Sequence, residues 1–186
     1  GTNTCCLLPV RAIEKLGRDA DGEMLVNLES GSFTDVPQSA FDKALDAASA
    51  APGAYRFEKM TSGRYLGKLS RLALIAAAKD GLFAPETADK LRALDVLTAA
   101  DADAFGADPD CGAIAALSDA ADADRKTAAM VIQSVFGRAA KAIVANIAAI
   151  VFLTDGAKNR YRPMVVAVDG SLFRYSTLLR PAVSEE

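Results

Sequence analysis

The 186 residues include no histidine and no tryptophan, and only three are cysteine. Without His, a catalytic triad of the usual kind and a His-based zinc site are excluded. Any general base must then be a carboxylate, a lysine or a tyrosine. Cys5 and Cys6 are adjacent, Cys111 stands apart, and no Cys-x-x-Cys pair occurs. The chain therefore offers no disulfide framework and no thiolate metal site, and reduced thiols in a cytoplasmic protein are the expectation. Basic runs are missing too. Lys and Arg total 21 against 24 Asp and Glu, a formal net charge of −3, which argues against a nucleic-acid partner, since such modules carry a basic face. No charged region followed by an apolar run opens the chain, so no signal peptide is read. The run 142–153 is almost wholly apolar, but Asn146 interrupts it. It is too short to span a bilayer and reads as a core helix, so no membrane partner is expected. Aromatics make up 6% and hydrophobic residues 51%, with Ala prominent, which points to helices packed closely through short side chains. The length suits one domain or one lobe of a larger enzyme.

The most informative stretch is 55–72. A loop ends at Pro52-Gly53, Glu58 follows, and Leu66, Leu69, Leu72, Ala73 and Ala76 then recur at helical spacing, which predicts an amphipathic helix. Lys68, Arg71 and Lys79 fall off that stripe, and Asp80-Gly81 is its stop signal. Gly63 and Gly67 each cost about 1 kcal/mol of helix propensity against Ala. A close backbone approach, or a bend between a short and a longer helix, must need them.

Taken in order, 4–8 reads as a short strand stopped by Pro9, and Asp21-Gly22 as a hairpin turn. The run 23–28 reads as a second strand, apolar on both faces and therefore interior. Glu29 closes it before Ser30-Gly31-Ser32. A carboxylate where a strand gives way to a Gly/Ser loop is well placed for a ligand, because clefts in open α/β sheets lie off the carboxyl ends of strands. Asp35-Val36-Pro37 is expected to open a helix running to Ala48. Segments 85–94 and 98–105 read as helices, with Thr98 and Asp101 as a capping pair. The acidic segment 119–124 reads as a solvated helix start. One long helix covers 125–154, and because Met130, Phe136 and Val144 lie off its apolar stripe, it is expected to be buried on most sides. Asp155-Gly156 should end it. The apolar run 164–168 reads as a strand, with Asp169-Gly170-Ser171 as its exit turn.

The ordered string Phe57-Glu58-Lys59-Met60-x-Ser62-Gly63-x-Tyr65-Leu66-Gly67 resembles the signature of the hexokinase family. In the same order along the chain, Gly1-Thr2-Asn3-Thr4-Cys5, Val26-Asn27-Leu28-Glu29-Ser30-Gly31-Ser32-Phe33 and Val168-Asp169-Gly170-Ser171-Leu172-Phe173 resemble three further motifs of that family. The similarity covers nearly the whole chain and thins over 86–126. Ser30, where the family often has Trp, suggests a bacterial flavour.

The resemblance implies an α/β, actin-like and ribonuclease-H-like ATPase lobe, rich in helices, with residues 1–186 forming part of the large domain. It implies that Asn3, Glu29 and Glu58 bind the hydroxyls of a hexose, glucose foremost. Carboxylates and amides suit such hydroxyls, which both donate and accept hydrogen bonds. Gly1, Thr2, Asp169, Gly170 and Ser171 would face ATP, with Mg²⁺ carried by the nucleotide and no protein-held metal. Thr98 lies near a nucleotide-contacting Thr of the family, in a poorly aligned stretch, and is left out of that set. A pair of carboxylates also invites a glycosidase reading, which the surrounding motifs do not favour. The alternative from another class is a non-catalytic sugar-binding or regulatory protein on the same lobe. The family's base comes from an Asn-Asp-Thr motif ahead of Gly1. No catalytic residue is therefore assigned, and the chain reads as an inactive piece of a longer protein.

Overall fold

The computed structural model describes residues 2–16, 21–154, 158, 161 and 164–185. Strands β1 (Cys5–Pro9) and β2 (Glu23–Asn27) pair antiparallel, with Leu7 opposite Leu25 and Cys5 opposite Asn27. The strands pair as a hairpin, but not through the tight turn expected at Asp21-Gly22: residues 10–22 connect them, with short 3₁₀ helices at Val10–Ala12 and Glu14–Leu16. Period-2 alternation then sends Cys6 and Leu8 inward, where Ile150 covers them, and leaves Leu7 and Leu25 outside. The interior position expected of β2 is not observed: Leu25 is 70% exposed. A strand is buried on both faces only when elements cover both, and here one face is bare.

The run 164–168 forms no strand. Val165 and Val166 are exposed, and Met164 alone packs, against the small cluster of Cys6, Leu8 and Ile150. An apolar run becomes a strand only with a neighbour to complete its hydrogen-bond ladder. Among the described residues the sheet stops at two strands.

The rest is helical. The helix α1 (Ala40–Ala47) starts later than its Pro suggested. Ser39 and Asp42 form a complete capping box, which satisfies the first free amides where Pro37 cannot. The helices α2 (Arg56–Thr61) and α3 (Gly63–Lys79) are separated by extended Ser62, the bend predicted at Gly63, and Gly81 stops α3 with φ +77°. The buried face of α3 carries Leu66, Leu69, Ala73, Leu74, Ala77 and Ala78. Leu72 is only half-buried, so the true stripe is rotated slightly from the expected one. Next come α4 (Pro85–Arg92) and α5 (Ala99–Ala107), the latter capped by Thr98, whose Oγ1 accepts from the Asp101 amide.

The helix α6 (Asp122–Leu153) is long and apolar enough to cross a membrane by length and composition. In this fold Ile132, Val135, Phe136 and Ala139 instead build the core with α3, α5 and α8 (Leu179–Glu185). Burial on most sides is not observed: the buried residues Ala128, Ala129, Ile132, Val135, Phe136, Ala139 and Ala140 lie on one face of the helix. Met130 is exposed from the start, and Phe152 and Leu153 are exposed at the end. Its acidic start is also not wholly solvated, because Asp124 is buried and accepts the Ala84 amide. The expected stop at Asp155-Gly156 lies outside the described residues.

Polar links orient these helices. Asp42 takes a bidentate fork from Arg138 of α6, 2.5 and 2.8 Å, while that guanidinium lies 5.2 Å from the Phe41 ring. Buried Asp103 of α5 accepts from the Ser176 hydroxyl and from the Thr177 and Leu178 amides, which docks the C-terminal segment. That segment includes the short α7 (Ser171–Tyr175).

At Gly67 a Cβ would fall on the Leu97 carbonyl oxygen and the Thr98 carbonyl carbon, whereas at Gly137 it would meet nothing. Gly67→Ala should therefore destabilise the chain by about 1–3 kcal/mol through overpacking, although Ala is the better helix former. Gly137→Ala should stabilise it by roughly 0.5–1 kcal/mol. Urea midpoints of the two variants test this; equal shifts in one direction would refute the close approach at Gly67.

Candidate functional site

The site is built where β1 and β2 end, beside α2. Asn3 precedes β1, and its Oδ1 accepts from the Thr4 amide (2.8 Å) and the Ser30 amide (3.2 Å). Its Nδ2 donates to Oδ1 of Asn27, the last residue of β2. The other end of that amide, Asn27 Nδ2, donates to Glu29 Oε1 at 2.6 Å. One chain of side chains thus runs Asn3, Asn27, Glu29. It fixes both amide orientations and leaves the second Glu29 oxygen without a hydrogen bond among the described residues.

Glu29 itself is held in the left-handed region, φ +49° and ψ +41°. For a non-glycine residue this costs about 1–2 kcal/mol. The local bonds offset it: the Ser32 amide and hydroxyl both donate to the Glu29 carbonyl, at 2.8 and 2.7 Å. The 3₁₀ turn Ser30–Ser32 follows and packs on α2. Within that turn, Gly31 is buried, and a Cβ there would strike the Thr2 carbonyl oxygen and lie 3.5 Å from Cβ of Glu58. Asn3, Glu29 and Glu58 are therefore brought together, on the two sides of Gly31. Thr2 joins the same group through its carbonyl. Gly1 lies outside the described residues.

Glu58 sits in the first turn of α2, and its carboxylate makes no hydrogen bond among the described residues, so it is available to a ligand. What places it is the next residue. Lys59 is buried and donates to Asp46 Oδ1 (2.5 Å) and to the Ala51 carbonyl (2.6 Å), while Asp46 Oδ2 accepts from the Gly53 amide (2.9 Å). The Lys59 hydrogen bond, helped by the Gly53 amide and against the effect of burial, lowers the Asp46 pKa below the ordinary carboxylate range. This pair clamps α2 to α1 and to the loop before it.

The turn Asp169-Gly170-Ser171 lies apart from that group and leads into α7. Gly170 has φ +130°, which only glycine adopts readily, and a Cβ there would meet nothing. Asp169 pairs with Arg174 at 2.9 Å, both exposed. Leu172 of α7 packs over Gly63, its Cβ 3.6 Å from where a Cβ on Gly63 would lie. Gly63 also borders a cleft of about 530 Å³ along α3, with Arg64, Lys68 and Arg71 on one side and Thr98 at the start of α5 on the other. Among the described residues no hydrogen bond or ion pair joins the turn to Thr2.

Two participants were not singled out from sequence. Asn27 stood inside a quoted motif without being chosen. Asn146 had marked itself only as a break in an apolar run; its Nδ2 lies 3.3 Å from both Thr4 Oγ1 and Ser30 Oγ.

The family model described as Hexokinase matches residues 1–185. The chain belongs to the hexokinase family. It is 32% identical to the rice (Oryza sativa subsp. japonica) Hexokinase-1, an alignment over 94% of this chain and 39% of that protein. It is 40% identical to the Nicotiana tabacum Hexokinase-1 over 56% of the chain and 22% of that protein. To the human Hexokinase-1 it is 42% identical over 44% of the chain and 9% of that protein. It thus spans well under half the length of these relatives. A solved hexokinase crystal structure superimposes on all of the chain with a TM-score of 0.78 at 27% identity, the chain covering 41% of it. A hexokinase from Schistosoma mansoni complexed with glucose gives a TM-score of 0.74 at 22% identity, which speaks to the fold. The fold expectation holds: this is the actin-like α/β architecture of hexokinases, heavily decorated with helices.

Because the folded-state Asp46 pKa is depressed, its contribution to stability is complete above the unfolded value near 3.9 and is lost as pH falls through the lower folded value. The stability difference between wild type and Asp46→Asn should therefore be constant from pH 7 to about 5 and shrink below pH 4. Lys59→Met, which strands the carboxylate, should cost about 3 kcal/mol at pH 7. Chemical denaturation across pH checks both; a difference that grows on acidification would refute the ion pair.

Proposed function

We propose that this chain is part of the large domain of a cytoplasmic hexokinase, which transfers the γ-phosphoryl of MgATP to the 6-hydroxyl of a hexose, glucose foremost. The observation that carries the reading is the convergence at Gly31: an amide relay from Asn3 to Glu29 on one side and, on the other, a Glu58 carboxylate with no hydrogen bond among the described residues. A pyranose presents a ring of hydroxyls that donate to carboxylates and accept from amides, so three such groups in one patch suit it. Family membership supplies the reaction type.

On this reading Asn3, Glu29 and Glu58 orient the sugar. A positioned hydroxyl is most of what phosphoryl transfer asks of this side of the site, since the chemistry is dominated by positioning and charge stabilisation. The nucleotide would lie along α3, its nucleoside in the cleft beside Gly63. Arg64 and Lys68 have no ion pair among the described residues and would suit anionic phosphates. Thr2 and the exposed amides at Gly170 and Ser171 would meet the phosphates, as would Gly1. Gly170 suits this twice over, by its φ and by the open space around it. No group of three acidic or thiol side chains sits together to cage a metal among the described residues. On the family reading Mg²⁺ would come bound to the nucleotide, where it neutralises phosphate charge.

The general base is not assigned within the chain. Glu29 is engaged with Asn27, and Glu58 is a positioning carboxylate on this reading. Purified residues 1–186 should therefore not phosphorylate glucose in a coupled glucose-6-phosphate assay, while the full-length protein does, a loss of at least the 10² to 10⁴-fold that a missing base costs. Turnover by the chain alone within about a hundredfold of full length would make Glu29 or Glu58 the base instead.

In the full-length protein, Glu58→Gln should lower kcat/KM for sugar roughly 10- to 100-fold, the worth of a charged hydrogen bond. Gly170→Val should raise KM for ATP far more than KM for sugar. Unchanged sugar kinetics in the first variant, or equal effects on both substrates in the second, would remove those roles.

A further inference from the structure

Asn146 is the single polar residue of the run 142–153 in α6, where Ala142, Ile143, Val144, Ala145, Ile147, Ala148, Ala149 and Ile150 surround it in sequence. An amide among such neighbours is retained only if it has partners, and its partners are telling. Nδ2 reaches Thr4 Oγ1 and Ser30 Oγ, each at 3.3 Å, and the Ser30 hydroxyl lies 3.5 Å from Oδ1. Thr4 follows Asn3, and Ser30 follows Glu29. One side chain on α6 thus grips the residue next to each of two proposed sugar ligands.

The grip falls where it is needed. Glu29 occupies the left-handed region, and an unsupported turn would relax from it. Three sets of bonds oppose that relaxation: Ser32 on the Glu29 carbonyl, the Ser30 amide on Asn3 Oδ1, and the Ser30 hydroxyl on Asn146. The first two are local to the strand ends. The third ties the turn to the helix that forms the core.

We infer that Asn146 is a positioning residue for hexose binding. Through Ser30 and Thr4 it holds the Glu29 turn and Asn3 in the arrangement that meets the sugar, without touching the sugar itself. This rests on the sugar role proposed above for Asn3 and Glu29. It also assigns α6 a part in sugar affinity and none in nucleotide affinity.

The test uses the full-length protein with Asn146→Leu, which keeps the approximate shape and removes both hydrogen bonds. Glucose affinity should fall about tenfold, the worth of one to two such bonds, with KM for MgATP within twofold of wild type. Amide exchange at Ser30 and Ser32 should quicken at least tenfold. Asn146→Asp, which can still accept from both hydroxyls, should recover most of the affinity. Should Asn146→Leu fail to fold, Ser30→Ala cuts the same link from the other side, and the double variant should be no worse than either single one. Unchanged exchange at Ser30 and Ser32, or an equal rise in both KM values, overturns the inference even in an active hexokinase. A wild type that binds no hexose fails at the earlier step, removing the sugar role of Glu29 and this inference with it, whatever the exchange data show.

Discussion

At Gly31 the backbone runs so close to the Thr2 carbonyl that no side chain fits between them. The meeting of Asn3, Glu29 and Glu58 depends on this contact. It sets the turn after β2 against the start of β1, and it lets Cβ of Glu58 come up on the far side. A larger residue would push apart the two segments that carry Glu29 and Asn3. Gly67 does the same on α3, where the chain at Leu97 and Thr98 crosses against the helix and forms one wall of the adjoining cleft. Two glycines that cost the elements containing them thus permit the two close approaches beside which the candidate site and the adjoining cleft lie.

Apolar burial and polar orientation are divided between different parts of the molecule. Leu66, Leu69, Leu74, Phe105, Leu117, Ile132 and Phe136 are all but inaccessible and supply the driving force for packing. They do not by themselves fix the helices in register. That falls to four buried aspartates, each bonded across elements: Asp42 to Arg138, Asp46 to Lys59, Asp103 to the segment 176–178, and Asp124 to the Ala84 amide. The second holds the helix that carries Glu58, and the third anchors the segment that carries the Asp-Gly-Ser turn.

Local features were legible in the sequence and pairing was not. The break between α2 and α3, the Gly81 stop, the Thr98 cap and the long α6 are each encoded within a few residues, so pattern reading reaches them. The start of α1 was misread because Pro37 is a weaker signal than the Ser39–Asp42 box, which satisfies two backbone amides at once. The fate of 164–168 and of β2 depends on whether a second strand or a covering face exists, a fact about distant residues that five apolar letters cannot hold. Within the site, Asn3, Glu29 and Glu58 came from motif resemblance, and the structure brings them to one place. Asn27 and Asn146 needed coordinates, because an amide in a motif or in an apolar helix reveals its partner only once the chain is folded.

The link from Asn146 spans 116 residues to Ser30 and 142 to Thr4. Such a closure is among the most non-local in the chain, so the Glu29 turn takes its final shape only after α6 has docked. Until then only the local bonds from Ser32 and to Asn3 hold the turn left-handed. On the proposed reading, a ligand held by Asn3 and Glu29 would recognise the assembled molecule and not a partly folded one. By mass action its binding energy is added to the stability of the whole fold rather than to one loop. The amide on α6 makes the mouth of the site a reporter on the state of the core.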